Sequence, residues 1–267
     1  MDIIYTAALV VVLLASAAAG WALRGRLHER HSSRETVDSI RLLMGMLLTF
    51  AALVLGLLTS GAKQRFDGLN DDLGAFATSL IELDHRLRVY GPDVEGIRAA
   101  LRSYTAGAIA DSWPTERPPP GQYPRFAGRD PGIERSGLGD LLSDVDVQIE
   151  KLAPADDFHQ QIAARLRNRV TEVIQERWKL IFAARETVSW PFLLILTSWL
   201  AIIFFIFGMT SPPSRLLYAV LALAAVSIAS PLYLIIDYSR ALTGEIQLSS
   251  APMRAALAHM DAANGSP

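Results

Sequence analysis

Four stretches of this chain contain no Asp, Glu, Lys, Arg or His: residues 3–23, 42–62, 190–209 and 216–236. Each is 20 or 21 residues long. At about 1.5 Å of helix rise per residue, each reaches roughly 30 Å, the thickness of a bilayer's hydrocarbon core. A segment in lipid must be helical, because only a helix satisfies its own backbone groups there. Buried helices of soluble proteins are shorter and carry charge along one face. The pattern therefore predicts an all-α, four-span transmembrane helical bundle. The first run is expected to stay as a span and not to act as a signal peptide. Met1-Asp2 before it is acidic, and the run continues past Ala15-Ser16-Ala17-Ala18-Ala19 through Trp21 to Leu23.

Trp21, Trp190, Tyr218 and Tyr233 fall at or near span ends, as an aromatic belt would. Pro191 sits in the first turn of span three, where a missing N–H costs little. Pro231 lies inside span four and is expected to kink it. Orientation follows from the short loops. Arg24, Arg26, Arg30, Arg34 and Arg41 sit between spans one and two, and Arg215 between spans three and four. Basic loops stay in the cytoplasm, which places the N-terminus and the long middle segment in the periplasm of a bacterial inner membrane. Lys63, Arg65, Arg177, Lys179, Arg185 and Arg240 flank the opposite ends. Most of these belong to a long domain, where charge weighs less.

Four regions follow from this layout. Residues 1–62 form a transmembrane hairpin and 190–236 a second one. Residues 63–189 form an extramembrane helical domain, and 237–267 a polar segment with a short helix. In the middle domain, Phe66, Leu69, Leu73, Phe76, Leu80, Leu83, Leu87 and Tyr90 alternate spacings of three and four. That is the 3.5-residue seam of a coiled coil or bundle, and it predicts a helix continuing out of span two. Gly91-Pro92 stops it, and Asp93 is the expected N-cap of the next helix, whose apolar side is Ile97, Leu101 and Tyr104. Residues 113–139 are rich in Pro and Gly and predict a loop. A short helix over 138–152 follows. A long one then begins near Pro154 and continues into span three, its face formed by Phe158, Ile162, Leu166, Val170, Val173 and Leu180, with Arg177 interrupting it. Two long helices leaving the membrane predict an extramembrane stalk between spans two and three. A terminal helix is expected over 253–260, and a disordered tail from Asn264.

The chemistry the chain can carry is narrow. It has no Cys, which excludes disulfides, thiolate metal sites and Cys nucleophiles. Its formal net charge of −2 offers no field for nucleic acid. Nucleophile elbows, phosphate-binding Gly-rich loops and His-Glu-x-x-His are all missing, so the chain is expected not to be an enzyme. Glu82-x-x-His85 and Asp156-x-x-His159 have the spacing of di-iron carboxylate bundles. Glu82 and His85 lie off the apolar seam, however, and no further inward carboxylates accompany them. No metal or cofactor is therefore expected. Asp237 and Arg240 mark the mouth of span four, Asp237 either as a functional carboxylate or as a group that solvates the helix end.

Span two is the most informative of the four. Gly45, Thr49, Ala52, Gly56, Thr59 and Ser60 fall on one stripe, a helix-packing face within or between protomers, or a pore wall. No span contains an ionisable group, which removes the usual proton relay of a coupled transporter.

Three passages carry a family likeness: LLTFAALVLGLLTSGAKQRF at 47–66, the 66–90 helix followed by IRAALRSYT at 97–105, and LIIDYSRALTGEIQLSSAPMRAAL at 234–257, with Asp237, Gly244, Ile246, Ser249, Ser250 and Pro252 in order. Over roughly residues 40–260 the chain resembles the bestrophin-like domain family of bacterial membrane proteins. The resemblance implies an oligomeric anion channel with span two around a central pore, and a middle domain in the cytoplasm. The expectation is an integral membrane protein acting as an oligomeric, bestrophin-like ion channel. Its partners would be the bilayer, further copies of itself and ions. A membrane-anchored scaffold or sensor that binds a partner through its stalk and transports nothing is the alternative.

Overall fold

In the computed structural model of the chain, residues 2–24, 34–124, 136–185, 190–212, 214–241 and 244–262 are described. Among these residues the structure is helical and contains no strand. Its helices are α1 (Asp2–Arg24), α2 (Arg34–Tyr90), α3 (Glu95–Ser112), α4 (Ser136–Glu150), α5 (Asp157–Arg185), α6 (Trp190–Thr210), α7 (Arg215–Tyr238) and α8 (Ala251–Ala262). Each of the four uncharged runs lies within one helix: α1, α2, α6 or α7. Four helical segments are long and apolar enough to cross a membrane. Residues 25–33, 186–189 and 263–267 lie outside the described residues. So do the predicted hairpin connection, the predicted run from the long helix into span three, and the predicted disordered end.

The chain divides into two units, one comprising Met1–Arg65, Thr187–Arg240 and Gly244–Ile246, the other Phe66–Glu186, Ala241–Thr243 and Gln247–Pro267. In the first unit, α1 packs against α6 and α7. Leu13 and Ala17 of α1 are buried with Leu200, Ile203 and Phe204 of α6 and with Leu221, Ala225 and Ile235 of α7. The approach of α1 to α6 depends on two glycines. A Cβ on Gly208 would overlap the Ala17 carbonyl, and one on Gly20 the Phe205 carbonyl. Small residues allow this backbone contact in lipid, where dispersion and weak polar contacts must hold helices together. Trp21 donates its indole N–H to the Ser211 carbonyl at 3.2 Å and stands edge-on to the Tyr218 ring. Two of the expected belt aromatics therefore meet each other. The Ser214 hydroxyl caps α7 by accepting from the Leu217 amide at 3.2 Å.

In the second unit the predicted seam is the core. Leu69, Leu73, Phe76, Leu80, Leu83, Leu87 and Tyr90 are all buried, together with Leu101 and Tyr104 of α3, Leu138 and Leu142 of α4, Leu166, Val170 and Val173 of α5, and Met253 and Leu257 of α8. Gly91 ends α2 with φ of +118°, a conformation that only glycine adopts cheaply. Asp93 is not an N-cap. It sits inside a short 3-10 turn, Pro92–Val94, and Val94 takes the cap position of α3 with no side-chain hydrogen bond. The Pro at the start of the turn fixes that tighter geometry.

Two positions of α5 depart from the sequence reading. Phe158 is largely exposed, lying one residue after the helix starts. Arg177 is buried and does not interrupt the face. Gly139 of α4 stands beside it, where a Cβ would lie at an ordinary contact distance of 3.4 Å from the guanidinium. The Pro-rich loop is also more structured than a spacer over residues 113–121. Trp113 is buried and donates its indole N–H to the Leu248 carbonyl at 2.7 Å. Glu116 accepts from the Ser250 hydroxyl at 2.5 Å and from Arg254, and Arg254 also reaches the Arg117 carbonyl at 2.8 Å. Arg102 pairs with Asp261 of α8. Residues 247–262 thus clasp α3 and the loop after it.

Candidate functional site

The membrane-length part of α2 presents three faces. At about 100° per residue, Met44, Leu47, Ala51, Val54, Leu55 and Leu58 share one sector of roughly 100°, and these pack into the core of the first unit. The predicted stripe occupies a second sector. Gly45, Thr49, Ala52, Gly56 and Ser60 on it are exposed, and Thr59 is half-buried. An added Cβ at Gly45 or Gly56 would meet nothing within 4 Å. The stripe therefore does not serve packing within the protomer. The third sector, between these two, carries Met46, Phe50, Leu53 and Leu57, each about 60% exposed. The sequence reading did not single out this bulky row. Its signal was the i, i+4, i+7, i+11 spacing of large apolar side chains beside the small ones.

The hydroxyls of the stripe are occupied locally. Thr49 donates to the Gly45 carbonyl at 2.9 Å, and Thr59 to the Leu55 carbonyl at 2.8 Å. Back-bonding of this kind leaves the oxygen lone pairs directed outward while meeting the donor requirement. The exposed face is thus weakly polar and carries no charge.

Asp237, the second sequence candidate, is fully buried. Its Oδ1 accepts from the Glu245 amide at 2.8 Å and its Oδ2 from the Ile246 amide at 2.9 Å. A Cβ on Gly244 would come within 2.7 Å of Oδ1, so the turn closes on the carboxylate only with glycine there. Neither sequence reading of Asp237 anticipates this arrangement, in which the carboxylate holds the turn that follows α7. Arg240 is half-buried, and its carbonyl accepts from the Gly244 amide at 2.7 Å. The Tyr233 hydroxyl donates to Glu245 at 2.6 Å, fixing the same turn from α7.

Charged groups of the second unit are mostly paired. Asp84 is buried between Arg98 at 3.0 Å and Arg88 at 3.1 Å. The Glu82 carboxylate is engaged by Arg169 at 2.7 Å, and Asp156 is bonded to His159 at 2.8 Å. The two carboxylates weighed as metal ligands thus have separate partners, Arg169 for Glu82 and His159 for Asp156. The hydroxyl of Ser250 and then Arg254 hold the Glu116 carboxyl below its ordinary range. Burial pushes the Tyr104 phenol up to about 12, partly opposed by the Arg177 guanidinium.

The family model of the bestrophin-like domain matches residues 10–253, nearly the whole sequence. A bacterial bestrophin homologue from Klebsiella pneumoniae with one tryptophan replaced by alanine superposes with a TM-score of 0.67 at 14% identity, over 100% of this chain and 99% of its own. The same homologue with one isoleucine replaced by threonine gives 0.64 at 16% identity over 100% of both chains. A structure described as a membrane protein with one proline replaced by alanine gives 0.64 at 14%, over 99% of each. At these identities the likeness is one of fold. Among curated proteins none matches the chain. The seam, the apolar helices and the family match agree: this chain is a membrane protein that belongs to the bestrophin-like domain family.

Proposed function

We propose that the chain is one protomer of an oligomeric ion channel in a bacterial inner membrane, with copies of α2 arranged around the axis. One observation carries the reading. α2 commits one face to its own protomer and leaves the other two open, one of them lined with Gly, Ala, Thr and Ser. A lipid-facing helix has no need of such a stripe, whereas helix–helix contact or a narrow path does. The direction opposite the packed face runs between Thr49 and Leu53, so stripe and bulky row would flank the axis together. The bacterial bestrophin homologues of like fold support the reading.

Liposomes containing the purified full chain are expected to pass ions, and its mass in nanodiscs to be a multiple of the protomer's. Gly56→Leu is expected to lower that mass or to abolish flux, since it fills the stripe. Unchanged mass and unchanged flux would refute the role of the stripe. A sealed bundle with no flux, but a stable complex in pull-downs, would instead give the scaffold reading.

Orientation is part of the proposal. The arginines of the short loops support a periplasmic placement of the segment 63–189. The chain has no Cys, so Gln122→Cys creates a unique label site on the exposed loop. An impermeant maleimide is expected to label it in intact spheroplasts. Labelling only after permeabilisation would give the cytoplasmic placement that the family resemblance implies.

A further inference from the structure

Two adjoining hollows between α2 and α5, both within the second unit, share Arg86 and Arg165 among their lining residues. Arg86 is half-buried and Arg165 exposed. Neither has a hydrogen-bond or ion-pair partner among the described residues. The arrangement of the neighbouring carboxylates explains this. Glu82 stands four positions before Arg86, a spacing at which a Glu–Arg pair can form along one helix. It pairs across to Arg169 of α5 instead, at 2.7 Å. Glu172 also goes to Arg169, at 2.8 Å. One guanidinium thus takes both carboxylates that line the hollows, and two guanidiniums are left over. His85 lines the same surface and supplies no negative charge.

Like charges brought to one hollow by two helices repel each other, and the apolar side chains of Val89 and Ile162 in its lining reduce the screening by water. An anion between the two arginines turns that repulsion into attraction. Geometry selects the kind of anion. A guanidinium is a planar fork of donors that matches a pair of oxygens on a carboxylate or phosphate. A carboxylate has only two oxygens, and one fork fills it. A phosphate group has more and accepts from two forks at once, with the Asn168 amide of the same lining as a further donor. We propose that the hollow between α2 and α5 is a binding site for a phosphate group, held between Arg86 and Arg165. Inorganic phosphate and the headgroup of an anionic lipid present the same chemistry, and the test separates them. The site does not depend on conduction.

The test is calorimetric titration of inorganic phosphate into the purified full chain in detergent. Saturable binding is expected, with one phosphate per protomer. Arg86→Gln and Arg165→Gln are each expected to weaken it about tenfold or more, through the loss of charge-assisted hydrogen bonds. Arg86→Lys keeps the charge but not the fork, and is expected to recover only part of the affinity. Arg117→Gln removes an exposed guanidinium outside the hollows and is expected to change nothing. Neither groove arginine holds another residue in place, so the melting temperatures of the variants are expected to stay near that of the wild type. The same titration in phosphatidylcholine nanodiscs, with and without phosphatidic acid, identifies the source. Competition by phosphatidic acid gives a lipid headgroup, and undiminished phosphate binding gives the free anion. Absence of saturable binding would overturn the proposal, as would an equal loss in Arg117→Gln. No phosphate binding together with a lower oligomer mass in Arg86→Gln would overturn it in favour of a carboxylate from a second copy.

Discussion

Gly208→Leu is expected to unfold the membrane bundle at ordinary temperatures. The added side chain would begin inside the volume of the Ala17 carbonyl. A backbone group cannot rotate away as a side chain can, so α1 and α6 must separate. Overpacking of a well-packed core costs about 1–3 kcal/mol when side chains can adjust. Here they cannot, and a loss of about 3 kcal/mol or more is expected. The fraction of protein remaining monodisperse after graded heating in detergent measures it. Gly68→Ala, on the exposed side of α2 and outside the stripe, is the control. Its Cβ meets nothing within the protomer, so its melting curve should stay close to that of the wild type. If Gly208→Leu melted with the control, α1 and α6 would not be in backbone contact.

Asp237→Ala is the second large effect. Removing the carboxylate strips the amides of Glu245 and Ile246 of their acceptors. A hydrogen bond to a charged group contributes about 1.5–3 kcal/mol, and two are lost. Combined destabilisation of about 3–5 kcal/mol is expected, centred on the turn after α7. Faster proteolytic cleavage between residues 240 and 247, together with a lower melting temperature, would register it. Asp237→Asn should fall between the two, because its one remaining carbonyl oxygen can serve one amide but its NH2 cannot serve the other. Equal behaviour of the Ala and Asn variants would show that the carboxylate does not hold the turn.

The parts of this molecule that follow a period could be read without coordinates. The four runs gave α1, the membrane-length part of α2, α6 and α7, and the 3.5-residue seam gave the core of the second unit from Leu69 to Tyr90. Both are repeating patterns in which every residue carries the same message. Contacts that depend on one residue meeting another far along the chain left no such trace. Ala15 to Gly20 reads as a small-residue run of a kind common near cleavage sites, and only the approach of α6 shows why Ala17 and Gly20 are small. Asp237 bonds to amides eight and nine residues away through a turn with no periodicity. Trp113 meets a carbonyl 135 positions later. Arg177 looked like a break in an apolar face because the period does not show what packs around its guanidinium, Gly139 of another helix among it. The stripe of α2 was legible as a set of residues, but the absence of any partner for it within the protomer was not.

The clasp of residues 247–262 has a consequence for biosynthesis. Trp113, Glu116 and Arg102 each find a partner in residues 248–261, which follow α7 in the chain. Both later apolar helices are made in between. Nascent polypeptide emerging up to α5 therefore holds an incomplete core, with the Trp113 indole N–H still lacking the Leu248 carbonyl. Such long-range closure is slow and exposes apolar surface in the meantime. Because α6 and α7 lie between α5 and the clasp, the core of the second unit closes only after both apolar helices have been synthesised.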